Sequence, residues 1–395
     1  MRITDIDTIP VEVPMKPFDE EGGLAPYFGG ASIDPLPETL SYEEAIGEVE
    51  DGMTSVTKLL IRVETEDGVT GWGEISTNEQ LRRVGEATVE DVIAPRLLGK
   101  SVADVTALFE EFPRFPTAYY RDVIPMMGAV ELAMWDALGK TLEQPVYQFL
   151  GGKAADYIPI AFCMGLTSME DARRKAKYAH EQGFTVLKTK GSRYWRSDVE
   201  RIEAMHDAVD GQMEFRLDPN QMWDIQDAVR VGALLEDAGI YLQYLEQPIR
   251  IDSIGAFKRL RERLRQPIAG GNEDLYVPRN LFYLAREDAI DVGQPDLVAA
   301  GGLLGMKREA AVAAEANIPL AHHSGHDIGL KNAAKMHIMT STSAFSLPAD
   351  TTYYSMEDHI LEEPLQIEDG HMEVPDRPGL AGPIDEDKVE QYRID

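Results

Sequence analysis

Ionisable side chains recur at regular intervals through the C-terminal half of the sequence, each directly after a short apolar run. In chain order they are Lys188 and Lys190, Asp218 with Asn220, Glu246, Glu273, Asp296, and His322 with His323. One such residue taken alone is explained by a turn or a loop cap. Several in succession indicate a shared site, because burying like charges without a cation costs roughly several kcal/mol per group.

Three of these residues are carboxylates at neighbouring strand ends. Asp218, Glu246 and Glu273 form an all-oxygen set of the kind that Mg²⁺ prefers. Zinc is disfavoured because no Cys or His lies among those three strand ends. Asn272, Glu273 and Asp274 are adjacent, so the register of the turn decides which one points inward. We choose Glu273 as the third ligand.

Two lysines alternate on one predicted strand. With a side-chain period of two, Lys188 and Lys190 face the same side, and both can enter the mouth of a barrel. Their crowding with one another and with a metal predicts a lowered lysine pKa, and therefore a neutral amine able to remove a proton. The alternative is a pair of solvated lysines at a strand edge.

A carboxylate and a histidine end two later strands. Asp296 can hold the imidazole of His323 in one tautomer and raise its basicity, which gives a second acid or base across the mouth from the lysines. His322 and His326 compete for this role. Strand alternation allows only one of His322 and His323 to face inward.

Repeated strand and helix patterns position these residues. Eight apolar runs predict strands separated by helical segments: YIPIAFCMG, TVLKTKG, EFRLDPN, YLQYLEQP, PIAGGNE, AIDVGQPD, IPLAHH and AFSLPAD. The pattern is α/β, and it favours a (β/α)₈-type TIM barrel over an open doubly wound sheet, since no G-x-G-x-x-G follows the early strands. All strand C-terminal ends of such a barrel face one mouth. The first of these helices is predicted to open with a capping box, Thr167-x-x-Glu170.

The chain divides into three predicted parts. Residues 1–130 are an α+β capping domain, because ITDIDTIPVEV, TKLLIRVETEDG and VTGWGEI alternate as an antiparallel meander. Residues 131–364 form the barrel. Residues 365–395 contain IEDGHMEV, a predicted hairpin that returns to the capping domain. Substrate choice is assigned mainly to the capping domain, where EEGGLAPYFGGASIDP is typical of a mobile lid.

The composition excludes several classes of protein. The 395 residues carry ordinary globular proportions, 44% hydrophobic and 27% charged, and the net charge of −31 disfavours nucleic acid and anionic membranes as partners. No apolar run is long enough for a membrane span and no signal-peptide pattern is present, so a cytoplasmic enzyme is expected. The single Cys163 is expected to be a buried thiol. The dispersed acidic excess suggests adaptation to high salt.

Together these motifs resemble the enolase superfamily, and more narrowly its mandelate racemase subgroup. The resemblance rests on VETEDGVTGWGE, MGAVELAMWDALGK, LKTKG, RLDPNQ, YLEQP, PIAGGNE, VGQPD, GGL and AHHSG. It implies a capping α+β domain over a barrel, and Mg²⁺ held by Asp218, Glu246 and Glu273. It also implies that Lys190 is a base and that Lys188 lies near the substrate carboxylate.

The resemblance also bears on the later strands. A dyad matching Asp296 and His323 is typical of the mandelate racemase-like members, and the His-Ser pair formed with Ser324 favours His323 over its neighbour. Members often carry a carboxylate on the eighth strand, which makes Asp350 a candidate for binding substrate, together with Asn220. The segment GGNEDLY has one residue more than the commoner Gly-Gly-Glu form.

The chemistry expected of this set is Mg²⁺-dependent removal of the α-proton of a carboxylate substrate through an enediolate. We favour dehydration of a sugar acid to a 2-keto-3-deoxy acid, in which Lys190 or His323 takes the proton and His323 assists the departing hydroxyl. Racemisation or epimerisation of a 2-hydroxy acid on the same site is the alternative. A non-catalytic carboxylate-binding barrel and a metal-independent phosphate-handling barrel are weaker alternatives. The expected assembly is a homo-oligomer.

Overall fold

The computed structural model describes most of the chain. The described residues are 1–18, 22–23, 39–47, 53–76, 82–106, 120–250, 253–271, 275 and 278–395. For residues 120–122 only the backbone is described. The glycine-rich segment predicted to be a lid lies almost entirely outside these residues. So does Glu273, the predicted third metal ligand, with its neighbours Asn272 and Asp274.

An antiparallel sheet forms the N-terminal domain. Its strands, paired in chain order, are β1 (Ile3–Pro14), β2 (Ser55–Thr65) and β3 (Thr70–Ser76). The helices of this region are α1 (Tyr42–Gly47), α2 (Arg82–Ala87), a π-helical turn (Thr88–Ile93), α3 (Ala94–Leu97) and α4 (Tyr120–Thr141). The predicted meander is therefore confirmed.

Helix α4 packs against β3 through the two glycines of the TGWGE motif. A Cβ atom on Gly71 would lie 2.1 Å from the carbonyl oxygen of Ala133, and one on Gly73 would lie 2.1 Å from that of Ala129. Both positions therefore require glycine. The predicted domain boundary at residues 130 and 131 lies inside this continuous helix, so no linker separates the two parts there.

The eight predicted strands close into a parallel barrel, which confirms the TIM-barrel fold. They are β4 (Tyr157–Met164), β5 (Val186–Lys190), β6 (Glu214–Asp218), β7 (Tyr244–Glu246), β8 (Ile268–Gly270), β9 (Val292–Gly293), β10 (Leu320–His322) and β11 (Phe345–Thr351). They pair in chain order, and β11 closes the ring on β4. Cys163 is buried on β4, as expected.

Helices alternate with these strands. They are α5 (Tyr147–Leu150), α6 (Met169–Glu181), α7 (Trp195–Ala208), α8 (Ile225–Asp237), α9 (Ile254–Arg261), α10 (Pro278–Arg286), α11 (Leu303–Ala316) and α12 (Leu330–Thr340). The N-cap of α6 is one residue later than predicted: Ser168, not Thr167, caps the helix by accepting from the backbone N–H of Asp171. Among the described residues, no helix combines the length and apolar character needed to cross a membrane.

The C-terminal segment reaches both domains. The predicted hairpin forms from β12 (Ile367–Glu368) and β13 (His371–Glu373), but β13 pairs antiparallel with β4 of the barrel rather than with the capping sheet. A 3₁₀ turn at Tyr353–Ser355 precedes this hairpin, and helix α13 (Glu386–Gln391) follows it. Beyond α13 the chain pairs with β1 through a bridge between Arg393 and Val11. The division into three parts stays a prediction.

Candidate active site

The two lysines of β5 point into the barrel mouth. Lys190 Nζ lies 2.5 Å from Asp218 Oδ2, and Lys188 Nζ lies 3.4 Å from the same oxygen. All three residues are buried. The alternation along VLKTK thus places both amines on one side of the strand, and the alternative of two solvated surface lysines is wrong.

Lys188 is surrounded by carboxylates. Its Nζ lies 2.6 Å from Glu246 Oε2 and 2.9 Å from Asp350 Oδ2, in addition to Asp218. Burial lowers the pKa of Lys188, but Asp350, Glu246 and Asp218 together raise it well above its ordinary value. The prediction of a neutral amine is therefore wrong for this lysine, which is a fixed positive charge.

Asp218 and Glu246 are suited to a divalent cation. Burial, together with the neighbouring charge of Asp218, raises the pKa of Glu246 to about 8. Its Oε2 atom contacts Lys188 as an ion pair but has no aligned hydrogen bond, and the buried Oδ1 of Asn220 has no hydrogen-bond partner either. A carboxylate oxygen and an amide oxygen that lack aligned hydrogen bonds, next to Asp218, fit a hard divalent cation.

The third predicted ligand is not among the residues that the structure describes. Among the residues that the structure describes, no group of three or more His, Cys, Asp or Glu side chains is arranged to hold a metal. Glu273 and its neighbours lie outside them, so that coordination set stays a prediction. Asn220 itself adopts a left-handed backbone, with φ of 48°, and its N–H donates to Asp218 Oδ1 at 3.0 Å.

His323, not His322, pairs with Asp296. The Nδ1 atom of His323 lies 3.1 Å from Asp296 Oδ2, which leaves Nε2 as the nitrogen able to exchange a proton with a substrate. His322 is fully buried, its Nδ1 lies 2.6 Å from the carbonyl oxygen of His323, and burial lowers its pKa to about 3. His322 is therefore a neutral structural residue.

A second layer of polar side chains lies beneath the mouth, and most of it was not predicted from the sequence. Arg216 donates to Asp350 Oδ1 at 2.6 Å and to the carbonyl oxygen of Pro348 at 2.9 Å. Gln294 donates to Tyr244 Oη and to Asp350 Oδ2. Arg216, Tyr244 and Gln294 each precede a predicted site residue by two positions, so the strand period was the signal that could have identified them.

The capping sheet holds the loop that follows β10. Lys58 of β2 donates to Ser76 Oγ at 2.8 Å and to the carbonyl oxygen of Gly325. Glu74 of β3 accepts from the backbone N–H groups of Ile328 at 2.7 Å and Lys331 at 3.0 Å. The contacts of Lys58 with Gly325 and of Glu74 with the loop join residues more than 200 positions apart in the sequence, and no local pattern predicts them.

His326 lies in the same loop with a left-handed backbone, φ of 57°. Its Nδ1 atom lies 3.2 Å from Thr352 Oγ1. Burial, with the positive charges of Lys58 and Lys190 nearby, lowers its pKa to about 3. His326 therefore contributes a neutral hydrogen-bonding group to the mouth rather than a second base.

Comparisons with known families cover nearly the whole chain. Residues 49–151 match the family model described as "Mandelate racemase / muconate lactonizing enzyme, N-terminal domain". Residues 153–388 match the model described as "Enolase C-terminal domain-like". The boundary between the two matches falls after α5, beyond the helix that spans residues 130 and 131.

Individual relatives have low sequence identity to this chain, but the alignments cover most of both proteins. An arabinonate dehydratase from Saccharolobus solfataricus is 29% identical over 338 residues, 84% of this chain and 89% of that protein. An L-Ala-D/L-Glu epimerase from Bacillus subtilis is 28% identical over 284 residues, 70% of this chain and 75% of that protein. The crystal structure of an isomerase from Streptomyces coelicolor A3(2) aligns with a TM-score of 0.81 at 29% identity, covering 99% and 96% of the two chains. Such relatives support lyase or isomerase activity.

Proposed function

Because this chain belongs to the mandelate racemase subgroup of the enolase superfamily, we propose that it is a Mg²⁺-dependent dehydratase of sugar acids. The observation that carries the proposal is the pair of acid–base groups on different sides of the barrel. Lys190 ends β5, the second strand of the ring, and His323 follows β10, the seventh. A substrate in the mouth would meet an amine on one side and an imidazole on the other.

The reaction starts with the α-proton of the acid. The α C–H bond breaks, Lys190 Nζ receives the proton, and the electron pair moves onto the carboxylate to give an enediolate. The fixed positive charge of Lys188 offsets the second negative charge as it develops. A divalent cation bound at Asp218 and Glu246 would add further positive charge at the same carboxylate.

Loss of the β-hydroxyl completes the dehydration. The electron pair of the enediolate forms a C=C bond, the C–O bond to the hydroxyl breaks, and His323 Nε2 supplies the proton that makes the leaving group water. The resulting enol gains a proton at C3 and releases the proton of its C2 hydroxyl, which gives the 2-keto-3-deoxy acid. Asp296, which accepts from His323 Nδ1 at 3.1 Å, keeps Nε2 directed away from itself and available to the substrate.

A panel of aldonic and aldaric acids tests this function. The enzyme is incubated with each acid and Mg²⁺, and 2-keto products are detected with semicarbazide. We expect at least one acid to give a 2-keto-3-deoxy product, with Lys190→Met inactive on that acid. Products from no acid in the panel would count against the dehydratase.

Epimerisation of a 2-hydroxy acid is the second candidate, supported by the same two opposed groups and by the similarity to an epimerase. One group would remove the α-proton and the other would return a proton to the opposite face. Solvent deuterium entering the α-position without any keto product would favour epimerisation over dehydration.

A further inference from the structure

One carboxylate oxygen is shared between the imidazole of His323 and a buried lysine. Asp296 Oδ2 lies 3.1 Å from His323 Nδ1 and 2.7 Å from Lys331 Nζ. The other oxygen, Oδ1, accepts from the backbone N–H groups of Val298 at 3.0 Å and Ala299 at 3.3 Å. Asp296 therefore has both oxygens engaged, and its two side-chain partners are the imidazole of His323 and the amine of Lys331.

Lys331 is held firmly in this position. Its side chain is 1% exposed, and Nζ also lies 3.1 Å from Asp327 Oδ1. Its backbone N–H donates to Glu74 of the capping sheet. Asp296 and Asp327 raise the pKa of Lys331 although burial lowers it, so the amine stays charged.

We propose that Lys331 is a positioning residue for His323, acting through Asp296 as the third member of a His323–Asp296–Lys331 triad. By donating to the shared oxygen, it limits how strongly Asp296 stabilises the protonated imidazole. His323 then releases its Nε2 proton to the departing hydroxyl more readily than a simple His–Asp pair would. This inference rests on the proposed role of His323 as the acid of the dehydration.

The titratable groups around His323 come from four elements. Asp296 follows β9, Asp350 is the penultimate residue of β11, His326 lies in the loop of His323 itself, and Lys331 lies in the first turn of α12. The Asp350 carboxylate is already neutralised by Lys188 and Arg216, and burial keeps His326 neutral. Lys331 is thus the cation best placed to counter the effect of Asp296.

Titration of the histidines in the free enzyme tests the triad without any substrate. The protein is labelled with ¹³C-histidine, the His323 signal is identified by its loss in His323→Asn, and its midpoint is followed by NMR. We expect the midpoint to rise by about 1 pH unit in both Lys331→Met and Lys331→Gln, since each removes a nearby positive charge. Lys331→Arg should keep the wild-type midpoint.

Lys335→Met is the matched control. Lys335 lies one turn further along α12 and is equally buried, but it contacts Asp327, Asn332 and the carbonyl oxygen of Asp350 rather than Asp296. This variant should leave the His323 midpoint unchanged. The triad is overturned if both neutral Lys331 variants titrate like the wild type, or if Lys335→Met shifts His323 by the same amount. Because no turnover is measured, either result is independent of whether the enzyme dehydrates sugar acids.

Discussion

Lys58 of the capping sheet donates a hydrogen bond to the carbonyl oxygen of Gly325, two residues after His323. The same amine donates to Ser76 Oγ, which in turn donates to Gly325. The first domain therefore fixes the loop in which the second domain carries its histidine.

Replacing Lys58 should impair both catalysis and stability. In Lys58→Met the Gly325 carbonyl and Ser76 lose a buried partner, which costs about 1–3 kcal/mol. The freed loop should lower kcat at least tenfold, because a small misplacement of a catalytic group is costly. Steady-state kinetics and urea unfolding measure both effects. Lys258→Met, on the exposed face of α9, is the control, and an unchanged kcat in Lys58→Met would show that the contact is only structural.

The two acid–base groups should be separable by isotope exchange. In D₂O, Lys190→Met should lose α-proton exchange by a factor of about 10²–10⁴, the range for a general base. His323→Asn should keep that exchange but lose the 2-keto product, because only departure of the hydroxyl needs its proton. ¹H NMR follows the exchange, and the exposed Lys177→Met serves as control. Equal loss of exchange in both variants would contradict the assignment of Lys190 as the base.

Removal of divalent cations should abolish activity. After dialysis against a chelator the enzyme should be inactive and should regain activity with Mg²⁺. Mn²⁺ binding, measured by electron paramagnetic resonance, should weaken strongly in Asp218→Asn and Glu246→Gln. Asp224→Asn, which changes only the N-cap of α8, should bind Mn²⁺ like the wild type. If both variants bind Mn²⁺ as tightly as the wild type, Asp218 and Glu246 are not the metal ligands.

A buried glutamate outside the mouth predicts the pH dependence of stability. Glu131 on α4 accepts from the N–H groups of Leu303 and Leu304, and burial raises its pKa from 4.5 to about 7. The folded state then binds more protons than the unfolded state across this range, so stability falls as pH rises from about 4.5 to about 7, by up to about 3 kcal/mol. Urea unfolding of Glu131→Gln should show a flatter profile, whereas the exposed Glu315→Gln should follow the wild type.

We also expect the acidic surface to respond to salt. With a net charge of −31, self-repulsion should be screened as salt rises, and both the melting temperature and the activity should increase between about 0.1 M and multimolar KCl. Calorimetry and a fixed-substrate assay measure the two quantities. A melting temperature that stays constant or falls over this range would rule out adaptation to high salt.

The sequence predicted the parts of this molecule that depend on the local periodicity of apolar and polar residues. Eight apolar runs became eight barrel strands, and alternation on β5 brought Lys188 and Lys190 to the same carboxylate. The charge state of Lys188 was not predictable, because it depends on Asp350, which reaches it across the closure of the ring. The contacts of Lys58 and Glu74 likewise join distant segments, and only the packed fold brings them together.

The Asp350 carboxylate accepts hydrogen bonds from Lys188, Arg216 and Gln294 at once. Each of these donors belongs to a different barrel strand or to the residue directly after it. This network leaves little room for variation, because replacing Lys188 or Arg216 would leave the buried Asp350 carboxylate without one of its two cationic partners. Efforts to change the substrate specificity of the enzyme should therefore keep these four residues. They should vary only the residues that the N-terminal capping domain contributes around the barrel mouth.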